Sequence, residues 1–356
     1  MAGGRRMRRT VWLSALAVTL VGWGAVASGQ VDAAVQAQVD AIVAAHHGKV
    51  AMYGVQLNTG KTVAVDPDAV VKTASNIKLA MLYEAMVEVR DGKAKWDEKI
   101  VLKPGEAVGG SGMLHFFDAP LTVTLKDVLT MMVIVSDNTA TNMAIDRFGT
   151  DAVNERMKEL GFPNTWLYKK VMKPATGPLP ADQPKFGLGK TTPREMAGLM
   201  EDIGECRLAK GVGADGKAKF ADAPDAQDLA VCKVTLEMLR SQFYRETIPR
   251  YLDLVDTTEG GSAIASKTGS LDAVRTDVAI VEAKTGPIVL SIFTYDNQDH
   301  GWTVDNEGEM TVAKLGRAVV TAWSPKGLDA GRLVPGLGMG PGKSWPPEKE
   351  RKPAGK

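Results

Sequence analysis

The chain has 356 residues, 44% of them hydrophobic, enough to bury a large core as one big domain or two lobes. Lys and Arg number 43 against 42 Asp and Glu, a formal net charge of +1. So even a balance argues against a general nucleic-acid or membrane-surface partner.

In chain order, the first segment reads as a targeting sequence. Arg5, Arg6, Arg8 and Arg9 make a basic start, "VWLSALAVTLVGWGAVA" an apolar run, and Ala25, Ala27 and Gly29 a small-residue region. Residues 1–29 are therefore expected to be a cleaved secretory signal peptide, so that the mature protein is secreted or periplasmic. A retained anchor is the competing reading, but the run is short for a full span. Next, "VDAAVQAQVDAIVAAHHG" (31–48) has helical spacing and stops at Gly48. "VAMYGVQL" and "KTVAVD" read as strands turned at Asn58-Thr59-Gly60. A helical middle follows, with spans at 75–90, 124–136, 138–149, 150–161, 191–204 and 233–243. Strands return as "SAIASKTG", "TDVAIVEA" and "PIVLSIFTYD", and a last helix covers about 307–323.

Strands at both ends of the chain thus enclose a helical insertion. That order implies an α/β (α+β) fold in two lobes. One is an antiparallel sheet, about 30–66 and 250–323, covered by the first and last helices. The other is all-helical, about 67–249. A site is expected in the cleft between them. In 324–356, Pro, Gly and charge dominate, so a disordered tail is expected. Its "GLGMGPGKS" misses the phosphate-loop pattern, because the required first glycine falls on Leu337.

Export would make Cys206 and Cys232 a candidate disulfide, contributing roughly 3–4 kcal/mol through the unfolded state. Two buried free thiols are the alternative. The Gly-, Ala- and Asp-rich segment between them is expected to be flexible. The four histidines show no metal-ligand spacing, and "GGSGM" (109–113) is not a G-x-S-x-G elbow. The segment 108–117 reads either as a cleft border, through Phe116 or His115, or as a turn tucked onto the core.

Three short stretches carry the chemistry. "TASNIKLAMLYE" (73–84) places Ser75 three residues before Lys78 at the mouth of an apolar helix. There a helix start can face an oxyanion, and an amine among apolar residues can take a serine's proton. Taken alone, it reads as well as an N-cap and a surface lysine. "MMVIVSDNTATN" then sets Ser136, Asp137 and Asn138 after an apolar helix, and "AIASKTGSL" sets Lys267, Thr268 and Gly269 at a strand end.

With all three in this order, the sequence resembles the class A serine β-lactamase and penicillin-binding-protein family over about 31–323. The resemblance implies roles residue by residue. Ser75 would be the acylated nucleophile and Lys78 its proton acceptor. Ser136, close to Lys267, would relay a proton to the leaving nitrogen. Asn138 would bind the substrate amide, and Lys267 with Thr268 its carboxylate. The N–H groups of Ser75 and Ser270 would form the oxyanion hole, and Gly269 would let substrate lie along the strand. Arg275 would add a second cation or make a surface salt bridge. Asp137 is expected to fix the loop through backbone N–H groups. No cofactor or metal is implied, and a monomer acting on a β-lactam or D-Ala-D-Ala-like small molecule is expected.

The resemblance fails in one place. The family's loop glutamate, in an E-x-x-L-N pattern, has no counterpart in "WLYKKVMKPATGPLPADQPKFGLGKTTP" (166–193). Counting back from "TTP" puts Thr176 near the glutamate's place and Pro180 near the asparagine's. Asp182 is the only acid, among Lys169, Lys170 and Lys173. Three readings stay open: a slow β-lactamase using Asp182 or Lys78 to activate water, a D,D-peptidase-like or esterase-like acyl-serine enzyme, and a non-catalytic binding homologue.

Overall fold

The computed structural model describes, apart from Met1, residues 29–175, 177–252 and 262–329. The expected signal peptide, all but Met1 and Gly29, lies outside the described residues, as do Thr176 and most of the expected tail.

Strands β1 (Gln30–Val31), β2 (Lys49–Gln56), β3 (Lys61–Val65), β9 (Ile264–Leu271), β10 (Val274–Val281) and β11 (Ile288–Tyr295) form one sheet. Its order is β1-β3-β2-β11-β10-β9, so both ends of the chain meet at β2 and β11. All pairs are antiparallel except the short β1, which runs parallel to β3.

Both faces of the sheet are covered, which is why its central strands are apolar nearly throughout rather than alternating. Ile288, Leu290 and Ile292 of β11 face one core, with Val35 and Val39 of α1 (Ala33–Ala44) and Val312, Leu315 and Val319 of α9 (Glu307–Trp323). Val289 and Phe293 face the other, with Leu199, Met200 and Ile203 of α7 (Pro193–Gly204). Thus α7, read from sequence as part of the helical lobe, closes the second face of the sheet.

The helical lobe is built around α2 (Lys78–Arg90). It is buried almost all round, as its continuous apolar run requires. Its polar exceptions are all engaged. Tyr83 Oη donates to Arg207 O, and Glu84 pairs with Arg156 at 2.8 Å. Around it lie α3 (Leu125–Ile134), α4 (Asn138–Phe148), α5 (Thr150–Glu159) and α8 (Ala226–Arg240). Short strands β4 (Val71–Lys72), β7 (Trp166–Leu167) and β8 (Gly189–Thr191) join in a small second sheet, so the lobe expected to be all-helical carries strands as well.

Two expectations need correction. The disulfide is present, with Cys206 and Cys232 sulfurs 2.09 Å apart, but the segment between them is folded rather than flexible. A hairpin closes through Lys210 N–H to Lys219 O and Gly213 N–H to Lys217 O, and α8 starts at Ala226 behind an Asp225 capping box. Nearly buried Arg90 anchors it, bonding the Leu208 and Ala209 carbonyls and Asp228. The order also extends past Ser324. Leu328 is 5% exposed in the core against α9, and Asp329 N–H bonds Glu282 O, so 324–329 are packed.

Candidate active site

The three motifs converge where the helical lobe meets β9, the free edge of the sheet. Ser75 lies in a tight 3-10 turn, Ala74–Ile77, that runs straight into α2. Ala74 is held at φ 46°, a left-handed strain common where a side chain is aimed for function. Ser75 is left half-buried, while Lys78, one turn on, has no exposed surface.

Ser136 is the junction. It follows α3, with φ 52°, and Asp137 caps α4. Lys78 Nζ donates to Ser136 O at 2.7 Å and lies 3.0 Å from Ser136 Oγ and 3.3 Å from Asn138 Oδ1. From the other side, Lys267 Nζ lies 3.1 Å from Ser136 Oγ and donates to Thr268 O at 2.6 Å. One hydroxyl thus bridges two buried amines.

That arrangement disfavours charge on both. Burial holds Lys78 well below the usual lysine range; the charge of Lys267 pushes the same way, and Asp137 opposes. Burial also pushes Lys267 down to about 7, against the pull of Asp277. An amine held neutral can accept a proton from a neighbouring hydroxyl, and a hydroxyl between two amines can pass one.

Asp137 does what the sequence suggested: Oδ2 accepts from Met113 and Leu114 N–H and Oδ1 from Ala140 N–H. It thereby fixes the segment 108–117. That segment borders the cleft through Ser111, whose carbonyl accepts from Asn138 N–H; Phe116 instead stands 80% exposed.

Gly269 is required by contact. A Cβ there would lie 2.9 Å from Ser75 N and 3.1 Å from Ala74 Cβ, so only glycine lets β9 approach the turn so closely. Arg275, opposite Ser270 across the β9–β10 ladder, is wholly buried, which rules out a surface salt bridge. Its guanidinium bonds the Leu271, Val274 and Gly301 carbonyls, its Nε lies 3.2 Å from Glu309, and Trp302 covers it at 4.6 Å. Burial in turn raises the Glu309 carboxyl, against the pull of Arg275.

Several residues escaped the sequence reading. Asn76, fully buried, ties the turn to β9: its amide nitrogen reaches the Lys267 and Thr268 carbonyls at 2.7 and 3.2 Å and its oxygen accepts from Thr276 Oγ1. Asp277, buried in β10, accepts from Thr247 Oγ1 and Ile248 N–H. Burial pushes it up to about 6. An acid inside "TDVAIVEA", an otherwise apolar strand, was a readable signal. Glu246, Thr247, Trp302 and Glu309 line the cleft with Ser75, Ser136, Thr268 and Ser270, enclosing about 320 Å³. Hollows of about 510 and 520 Å³ elsewhere hold none of the motif residues, so chemistry rather than size identifies the site.

The loop lacking glutamate is clamped by two asparagines. Asn154 of α5 bonds both backbone groups of Leu167, and Asn142 of α4 those of Val171. A Cβ placed on Gly110 would lie 3.1 Å from the Met172 methyl and 2.7 Å from the Asn138 amide, so both side chains approach Gly110, while Met172 itself is 65% exposed. Asp182 is turned to other work. It accepts from Tyr168 Oη at 2.8 Å, pairs with Lys190 at 2.6 Å, and is absent from the cleft lining.

The sheet, the helical lobe and the placing of these side chains define the class A β-lactamase architecture. The chain belongs to the Beta-lactamase enzyme family, whose pattern matches residues 34–323. Among solved structures it is similar to a β-lactamase from Sphaerobacter thermophilus, at 28% identity and TM-score 0.64 over 81% of this chain and 96% of that one. It shares its fold with PBP-A, at 23% identity and TM-score 0.64 over 82% and 97% of the two chains. A PBP-A variant of the same fold is described as an acyl-enzyme complex with penicillin G. A segment of 107 residues is 30% identical to the β-lactamase regulatory protein BlaB of Streptomyces cacaoi, spanning 30% of this chain and 34% of that protein.

Proposed function

We propose that the protein is an exported acyl-serine enzyme that takes β-lactams onto Ser75 and hydrolyses them slowly. The observation that carries this is the Lys78–Ser136–Lys267 junction beside Ser75, with no carboxylate in the loop placed to help release.

In acylation, neutral Lys78 accepts the Ser75 proton as Oγ attacks the lactam carbonyl. The oxyanion is held by the N–H groups of Ser75 and Ser270. The C–N bond then breaks, and the proton passes from Lys78 through the Ser136 hydroxyl to the leaving nitrogen. Lys267 and Thr268 hold the substrate carboxylate, and Asn138 its side-chain amide. Gly269 keeps Ser75 close to β9. Arg275 is wholly buried, with its terminal nitrogens on backbone carbonyls and Glu309 beside its Nε, so it is not assigned to the carboxylate. In deacylation, water adds to the ester and its proton goes to Lys78; the bond to Ser75 Oγ then breaks, Lys78 returns the proton to Oγ, and the acid leaves. Lacking a dedicated base, this step runs slower by a factor of roughly 10²–10⁴.

A D,D-peptidase-like reading uses the same acylation steps on a D-Ala-D-Ala-like peptide. It is favoured by the engagement of Asp182 with Tyr168 and Lys190, which leaves the acyl-enzyme still longer-lived. The Cys206–Cys232 bridge supports export to an oxidising compartment. Among the described residues no helix is long and apolar enough to cross a membrane. Intact-protein mass spectrometry with a penicillin tests the proposal. A transient adduct lost in Ser75→Ala is expected, a persistent one selects the peptidase-like reading, and no adduct overturns both.

A further inference from the structure

The cleft does not end at Ser270. Beyond the place where Lys267 and Thr268 would hold a carboxylate, its wall is made by Glu246, Thr247, Trp302, Thr303, Val304 and Glu309. Two cations flank this wall, and both are engaged: Arg275, with Glu309 at 3.2 Å and three backbone carbonyls on its terminal nitrogens, and Arg250, which bonds the Val304 carbonyl and pairs with Asp305 at 2.8 Å. Glu246 has no such partner: no cation lies within salt-bridge distance of it among the described residues. Trp302 gives one face to Arg275 and is 69% exposed, so its outer face is open to the cleft mouth. Tyr244, on the same wall, is 36% exposed.

These groups share a single preference. A carboxylate without a counter-cation attracts positive charge, and exposed aromatic faces attract flat or quaternary cations. A β-lactam entering with only its carboxylate places that anion near Glu246. One that also carries a positive group beside the carboxylate offsets the repulsion. In a cephalosporin that position is the C3 substituent, which neighbours the carboxylate-bearing carbon.

We infer that Glu246 and the outer face of Trp302 form a subsite on the leaving-nitrogen side of the cleft that selects substrates bearing a cationic group next to the carboxylate. This rests on the proposed acylation at Ser75. The subsite acts on encounter and binding and forms no bond of its own.

The test is a matched pair of cephalosporins with one thienylacetamido side chain, the first carrying pyridiniomethyl at C3 and the second acetoxymethyl. Second-order acylation of the full chain is measured at low ionic strength for wild type, Glu246→Gln and Trp302→Ala. The readout is the ratio of the two rate constants, and comparison between proteins cancels the intrinsic reactivity of the compounds. In Glu246→Gln the ratio is expected to fall about threefold to fivefold, the range for a partly exposed charge pair. A fall in the same direction is expected in Trp302→Ala and on adding salt to wild type. A ratio unchanged by Glu246→Gln and by salt overturns the subsite while acylation stands. If neither compound acylates wild type, the proposed function falls and takes the subsite with it.

Discussion

Gly269→Ala is the sharpest test of how the site is assembled. The added Cβ would lie 2.8 Å from Thr276 Oγ1, 2.9 Å from Ser75 N and 3.1 Å from Ala74 Cβ. Two of those neighbours belong to the turn whose Ala74 is already strained at φ 46°, so the turn yields only at a cost. The strand is no freer. Gly269 is registered against Thr276, and Asn76 ties the carbonyls of Lys267 and Thr268 to the turn. Relief therefore requires the strand and turn to separate by a few tenths of an ångström, an overpacking that costs about 1–3 kcal/mol. For a domain of this size the melting temperature should fall by roughly 2–8 °C. The kinetic effect is larger, because the same separation splits the N–H pair of Ser75 and Ser270. Losing one such donor costs about 10²–10³ in rate. The assay is second-order labelling with a fluorescent penicillin, at a temperature where circular dichroism shows the variant folded. Labelling within threefold of wild type would refute the placement of Ser75 and Ser270 as paired donors.

Four further outcomes are expected. Burial sets Lys267 at about 7, so it is charged below that pH and neutral above; acylation of carboxylate-bearing substrates should decline as pH rises through about 7. Asp277 pulls that value upward, so Asp277→Asn should move the decline to lower pH, and a pH profile that does not move would remove Asp277 from the site's electrostatics. Asp182→Asn should leave the acyl-enzyme lifetime within about twofold, because its oxygens serve Tyr168 and Lys190; a tenfold longer lifetime by mass spectrometry would place Asp182 in deacylation. Met172→Glu adds a carboxylate to the loop where Met172 meets Gly110, the glycine that Asn138 also meets, and should shorten the acyl-enzyme lifetime at least about tenfold. An unchanged lifetime would mean that this loop position does not look onto the ester.

What the sequence revealed, and what it hid, follows from where each residue's partners lie. Lys78 was readable because its environment is local: a lysine opening an apolar run can only be buried if the run is buried, and α2 is. The sheet was readable because β9, β10 and β11 follow one another as apolar strands. Arg90 was invisible as an anchor, since the carbonyls it holds belong to Leu208 and Ala209, far along the chain. The acidic wall was hidden for the same reason, because Glu246 and Trp302 meet only through the folded cleft. The loop between 166 and 193 shows how such a reading goes astray. Counting back from "TTP" assumed a fixed loop length and pointed to Thr176, which lies outside the described residues. The loop is fixed at its other end, by Asn154 at Leu167 and Asn142 at Val171. Asn142 stands one helical turn beyond Asn138, so the helix that carries the motif also carries the loop's anchor. Counting forward from that anchor leads to Val171 and Met172, two apolar residues, the second reaching Gly110 with its methyl. If that position looks onto the ester, a single carboxylate at Met172 should restore release.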